Sequence, residues 1–165
     1  MNLFLCGSNQ LTHWDKKEIQ KILSRYASKH MIHVLCYKSM ENEVFRFFLE
    51  NEHLAPHLHI YTLQPLESLS GSFQEMISYF ISLGSQYASF GHMSPNVYRS
   101  EYIRYLKVIF QDIDLVICCY NGDKPSSVIP ADVAKECGID AFICDLPKEN
   151  EILAQQSFES KLRLL

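Results

Sequence analysis

Five short apolar runs, separated by segments of helical spacing, constrain this chain more than anything else in it. The runs are residues 2–6 (NLFLC), 31–36 (MIHVLC), 57–63 (HLHIYTL), 114–120 (DLVICCY) and 139–144 (IDAFIC). All are of strand length, and the first closes on the turn signal Gly7-Ser8-Asn9. Residues 114–120 are apolar and β-branched almost throughout, as in a strand covered on both faces. Between the runs, residues 14–28, 40–52, 72–83, 98–111 and 130–137 carry apolar groups at helical spacing. Thr12 suits the cap of the first helix and Ser72 that of the third. Pro130 fits the first turn of the last helix, which Gly138 ends. Residues 84–97 (GSQYASFGHMSPNV) read as a long mobile loop. Strand and helix thus alternate, which predicts right-handed βα units. The expected fold is a three-layer α/β domain: a mostly parallel sheet of about five strands with helices on both faces.

A chain of 165 residues, 47% apolar and 21% charged, can bury a core of its own. One domain is expected over residues 1–147, with 148–165 as a helical tail. The formal net charge is −4 and no run of basic residues exceeds two. That is not the footprint of a nucleic-acid binder, so no nucleic-acid partner is expected. Cys6, Cys36, Cys118, Cys119, Cys137 and Cys144 form no CxxC pair, and most lie in or beside the apolar runs. They read as free buried thiols of a cytoplasmic protein. The start, MNLFLCGSNQ, lacks the basic region of a secretory signal, and no apolar stretch approaches membrane-spanning length. No membrane partner is expected.

In open α/β sheets, ligands sit beyond the carboxyl ends of the strands, where strand order reverses. Three strand-to-helix turns fall there: Gly7-Ser8-Asn9, Tyr37-Lys38-Ser39 and Asn121-Gly122-Asp123, the last followed by Ser126 and Ser127. Gly7, Ser8 and Asn9 offer backbone N–H groups and a hydroxyl to a phosphate, and equally make an ordinary tight turn. Lys38 and Ser39 suit a phosphate, with Glu43 placed for a ribose hydroxyl. The same residues suit a solvated helix start, where acidic groups favour the dipole. Arg99 and Arg104, near the start of the fourth helix, can hold a phosphate or pair with Glu101. His57 and His59 share a strand face, but no cysteine or carboxylate stands at ligand spacing, so neither metal nor cofactor is expected.

Three features in order carry a family resemblance. The first strand runs directly into Gly7-Ser8 and a helix. The second enters a polar turn and a helix that starts acidic, at Glu41 and Glu43. Near the end, Asp112-Ile113-Asp114-Leu115-Val116-Ile117 leads to Tyr120-Asn121-Gly122-Asp123, a serine pair, a short helix, Gly138-Ile139 and a last strand. This order resembles the SLOG superfamily, Rossmann-like proteins related to the cytokinin-activating phosphoribohydrolases and to DprA. It is also similar to the nucleoside 2-deoxyribosyltransferases. The resemblance implies a cleft for a nucleotide-derived small molecule of the ADP-ribose, NAD or nucleotide type. It also implies, as an alternative, N-glycosidic chemistry with Glu101 as nucleophile or base. The chain has Cys36-Tyr37-Lys38 where such proteins usually carry Gly-Gly, and Ser126-Ser127-Val128 where they often carry Gly-Thr. That departure favours binding over turnover. A further alternative is a non-catalytic homo-oligomer, whose aromatic-rich helices (Tyr79, Phe80, Tyr87, Phe90, Tyr98, Tyr102, Tyr105) bury an interface; the same residues suit the core equally.

Overall fold

The computed structural model describes residues 1–148, and residues 149–165 of the expected helical tail lie outside them. The elements are β1 (Asn2–Gly7), α1 (His13–Tyr26), β2 (Met31–Leu35), α2 (Glu41–Glu50), β3 (Leu58–Thr62) and α3 (Gly71–Ser82). They continue with β4 (Gln86–Ser89), α4 (Arg99–Phe110), β5 (Leu115–Tyr120), α5 (Ile129–Glu136) and β6 (Asp140–Asp145). The sheet has six strands in the order β4-β3-β2-β1-β5-β6, every pair parallel.

Side-chain alternation splits the core in two. Leu3 and Leu5 of β1, with Ile117 and Cys119 of β5, face α1, α2 and α3 on one side. Phe4 and Cys6, with Val116 and Cys118, face α4 and α5 on the other. A strand loaded on both faces has to be central, and β1 lies between β2 and β5. Phe4 meets Phe110 of α4 edge-on, ring centres 5.0 Å apart. All six cysteines are free.

Helix α1 starts where the sequence places it. The Thr12 hydroxyl accepts from the Asp15 N–H at 3.2 Å, and the Asp15 carboxylate accepts from the Thr12 N–H at 3.0 Å. For α3 the cap is Ser70, two residues ahead of Ser72, and its hydroxyl accepts from the Phe73 N–H. The segment 84–97, read as a loop, contains the sixth strand. β4 is a short edge strand, mostly exposed, so it has no apolar run by which to recognise it. The rest of that segment is anchored: the His92 N–H donates to the Leu63 carbonyl, and its ring bonds Tyr105 and Asn96.

The chain steps outward from β1 to β4, then returns through α4 to lay β5 on the other side of β1. Strand order therefore reverses between β1 and β5. The turn after each of these strands opens on the same end of the sheet.

Candidate functional site

Two features stand at that end: a polar knot at the reversal point and a cleft beside it. The knot begins with Gly7. A side chain at this position would run into the carbonyl oxygen of Cys119 on β5, and the Gly7 φ of 148° also disfavours one. Close approach lets the Ser8 N–H donate to that carbonyl at 2.9 Å. The Ser8 side chain is fully buried, and its hydroxyl accepts from the Asn121 N–H at 3.0 Å. The same hydroxyl donates to the Asp123 carboxylate at 2.8 Å. Asn121 is buried too. Its amide donates to the Gln10 carbonyl and to the buried Asp15 carboxylate, which also receives the Lys148 N–H. Gly122, with φ 83°, turns the loop so that the Asp123 N–H reaches the Asn121 side-chain oxygen at 3.0 Å.

Asp123 is the hub of the knot. One carboxylate oxygen accepts from the Ser8 and Ser127 hydroxyls and the Lys124 N–H, at 2.8, 3.0 and 2.7 Å. The other accepts from the N–H groups of Asn9 and Gln10, at 3.1 and 3.3 Å. Partial burial alone would raise its pKa. The hydrogen bonds from Ser8, Lys124, Ser127 and Gln10 outweigh that and hold it below the usual carboxylate range.

Beside the knot, on the α4 side, Tyr37, Lys38, Val97, Arg99, Tyr102, Ser126 and Ile129 line a cleft of about 230 Å³. Tyr37 and Lys38 come from the β2–α2 turn, Arg99 and Tyr102 from the first turns of α4, and Ser126 from the loop after β5. The Tyr37 and Tyr102 rings lie 5.0 Å apart, and the Lys38 ammonium stands 5.4 Å over the Tyr37 ring. Lys38 has φ 47°, a left-handed conformation uncommon for a residue with a side chain. Burial pushes the Tyr102 hydroxyl well up, with smaller contributions from Cys6, Tyr37, Glu41 and Cys118, so it stays neutral at ordinary pH. An aromatic pair, two cations and a neutral hydroxyl can hold a flat ring and an anionic group together.

The structure therefore divides the residues singled out in the sequence. Lys38, Arg99 and Ser126 share the cleft. Gly7, Ser8, Asn9, Asn121, Gly122, Asp123 and Ser127 build the knot. Ser39 ties the two turns together: its hydroxyl accepts from the Gly7 N–H at 3.0 Å. Glu43 is buried, holds the Gln20 amide at 3.0 Å, and with Asn9 and Ser39 edges a separate hollow on the α1 side. Glu101 is not among the residues lining the cleft. Its carboxylate accepts from the Tyr98 N–H at the start of α4 and stands 3.5 Å from the His92 ring. Arg104 lies over the Tyr105 ring further along α4. Tyr102 was legible only as one aromatic among several. Its spacing of three from Arg99, which puts both on one helix face, is the signal that pairs them.

These features define a Rossmann-like α/β module with its open end at the β1/β5 reversal. No family model matches the chain, and no curated protein matches it in sequence. Among solved structures it is similar to DNA processing protein A (DprA) from Helicobacter pylori, described for its single-stranded DNA binding mode. The TM-score is 0.60 at 12% identity, covering 98% of this chain and 80% of that one. The likeness is one of fold, and it agrees with the DprA side of the sequence resemblance. It also corrects one expectation. The net charge of −4 argues against a nucleic-acid partner, yet a protein of this fold binds single-stranded DNA. Net charge is a sum over the whole chain, whereas gripping a single strand needs only local cations and stacking surfaces. Among the described residues no helix is long and apolar enough to cross a membrane.

Proposed function

We propose that this chain is a binding module for a nucleotide-derived small molecule, held in the Tyr37–Tyr102 cleft without efficient turnover. The observation that carries this reading is the convergence of Lys38 and Arg99 on an aromatic pair at the carboxyl ends of the strands. The base or ribose lies against Tyr37 and Tyr102, and the phosphate meets Lys38 and Arg99, with the Ser126 hydroxyl between. The volume of about 230 Å³ falls below the roughly 300–1,000 Å³ of drug-sized sites, which favours one nucleoside phosphate unit over a whole dinucleotide. Glu101 is already engaged at the start of α4, which supports binding over N-glycosidic cleavage.

A thermal-shift panel of AMP, ADP-ribose, NAD, cyclic nucleotides and nucleosides tests it. A ligand at about 100 times its Kd stabilises the native state by about 2.7 kcal/mol. The expected result is a shift with AMP or ADP-ribose that Lys38→Ala and Arg99→Ala each reduce. No shift with any member at millimolar concentration overturns the proposal. The structural neighbour favours a second reading, in which the unit in the cleft belongs to single-stranded DNA. Fluorescence anisotropy with a labelled oligothymidylate, on the same variants, tests that reading separately.

A further inference from the structure

The knot at the β1/β5 reversal has the form of an occupied anion site. Five neutral donors converge on the Asp123 carboxylate: the N–H groups of Asn9, Gln10 and Lys124, and the Ser8 and Ser127 hydroxyls. An aspartate serving only its own turn bonds N–H groups one or two residues on. Lys124 is the one backbone donor here of that kind. The Asn9, Gln10 and Ser8 donors come from the far side of the reversal point, 113 to 115 residues away in the chain. No lysine, arginine or histidine among the described residues forms an ion pair with Asp123. The charge is thus held by dipoles alone, the way backbone nests and hydroxyls hold an oxyanion. The seat also lies at the place where open α/β sheets receive anionic ligands.

We propose that the Asn9–Ser127 cradle is an oxyanion-binding site that this chain keeps filled with its own Asp123 carboxylate. An external oxyanion such as phosphate takes the seat only when Asp123 is removed or moves out. The inference does not depend on what binds the Tyr37 cleft. It explains why the candidate phosphate residues of the β1 turn stand apart from the cations Lys38 and Arg99. The seat they would offer is taken, and the cations Lys38 and Arg99 line the cleft beside it.

The test is anion rescue of Asp123→Ala in the full chain, with midpoints compared in sodium phosphate and in sodium chloride of equal ionic strength. The variant should melt several degrees below wild type in chloride and recover at least half that loss in phosphate. Wild type should show no such phosphate-specific gain in a Lys38→Ala, Arg99→Ala background, where the variant's rescue should persist. That background separates the cradle from the cleft, so either proposal can fail alone. Equal midpoints in the two salts for Asp123→Ala, or loss of rescue in the Lys38→Ala, Arg99→Ala background, overturn the proposal. A variant that folds in neither salt counts against it as well. A second measurement needs no variant. In wild type, the amide NMR signals of Asn9, Gln10 and Lys124 should titrate together as Asp123 takes its proton. Three unrelated titrations would show that the carboxylate does not fill the cradle in solution.

Discussion

At the residue scale, two positions after the central strands act in opposite directions on stability. Gly7 is required by space, because a methyl group there meets the Cys119 carbonyl on the neighbouring strand. The β1–β5 backbone approach and the Ser8 N–H bond both depend on it. Gly7→Ala should therefore cost about 3 kcal/mol or more, as overpacking against backbone does, and a urea midpoint measures it. A cost under about 1 kcal/mol would mean the two strands can part without loss. Lys38 is the reverse case. Its left-handed φ of 47° costs of order 1 kcal/mol, and a glycine would remove that strain. Lys38→Gly should leave stability unchanged or raise it by up to about 1 kcal/mol, less whatever chain entropy the glycine adds to the unfolded state. It should also weaken nucleotide binding, since a cation leaves the cleft. A variant that is less stable and binds equally well would remove Lys38 from the site. The residue explains a puzzle in the sequence too. The turn after β2 lacks the glycine pair of the proteins it resembles, yet the backbone keeps a glycine-like conformation at 38.

At the level of elements, β2 and β3 are joined by a buried polar chain that periodicity cannot show. The Asn2 side-chain oxygen accepts from His33 Nε2 at 3.0 Å, which leaves Nδ1 to accept the Tyr61 hydroxyl at 2.9 Å. The Tyr61 oxygen then accepts from His59 Nδ1 at 3.2 Å, and His59 Nε2 is left buried with no partner. Burial, followed by the nearby His59, lowers the His33 pKa to about 4, with Asp114 opposing. Burial lowers His59 as well, with Asp112 opposing. In the unfolded chain an imidazole takes its proton near 6.5, so between that value and about 4 the unfolded state binds the extra proton. The contribution of His33 is complete above pH 6.5 and is lost as pH falls through about 4; its full size is roughly 3 kcal/mol. Wild type should lose stability between pH 7 and 5 more steeply than His33→Gln, by urea denaturation at fixed pH. Parallel curves would sink this account. The elements themselves were legible to different degrees for the same physical reason. β1, β2 and β5 show as apolar runs because the helix layers cover both their faces. β4 has one neighbour and exposed faces, so its sequence, Gln86-Tyr87-Ala88-Ser89, carries no hydrophobic signal. The three turns that hold the knot and the cleft follow from strand order, and their place was readable. Which side chains meet there was not. The Asp123 carboxylate reaches Ser8 and Asn9 across more than a hundred residues, and no local pattern encodes that contact.

For the whole molecule, the remaining question is how a chain of net charge −4 would meet a polyanion. The cleft supplies two cations, Lys38 and Arg99. If a single strand lay there, about two counterions would be released, and log K against log salt would slope near −1.4, at roughly −0.7 per phosphate neutralised. The overall negative charge works the other way. It repels the strand at long range, and added salt screens that repulsion, which flattens the dependence further. Oligothymidylate binding, followed by anisotropy over roughly 50–300 mM salt, should therefore give a shallow slope no steeper than about −1.4. Lys38→Ala should reduce it by about 0.7. A slope steeper than about −4 would require about six or more phosphate contacts, more than this cleft contains, and would move the strand to another surface. A free nucleotide held by the same two cations should show a similarly mild salt dependence. The slope thus tests where the anion sits, and the choice between mononucleotide and oligonucleotide tests which ligand the chain prefers.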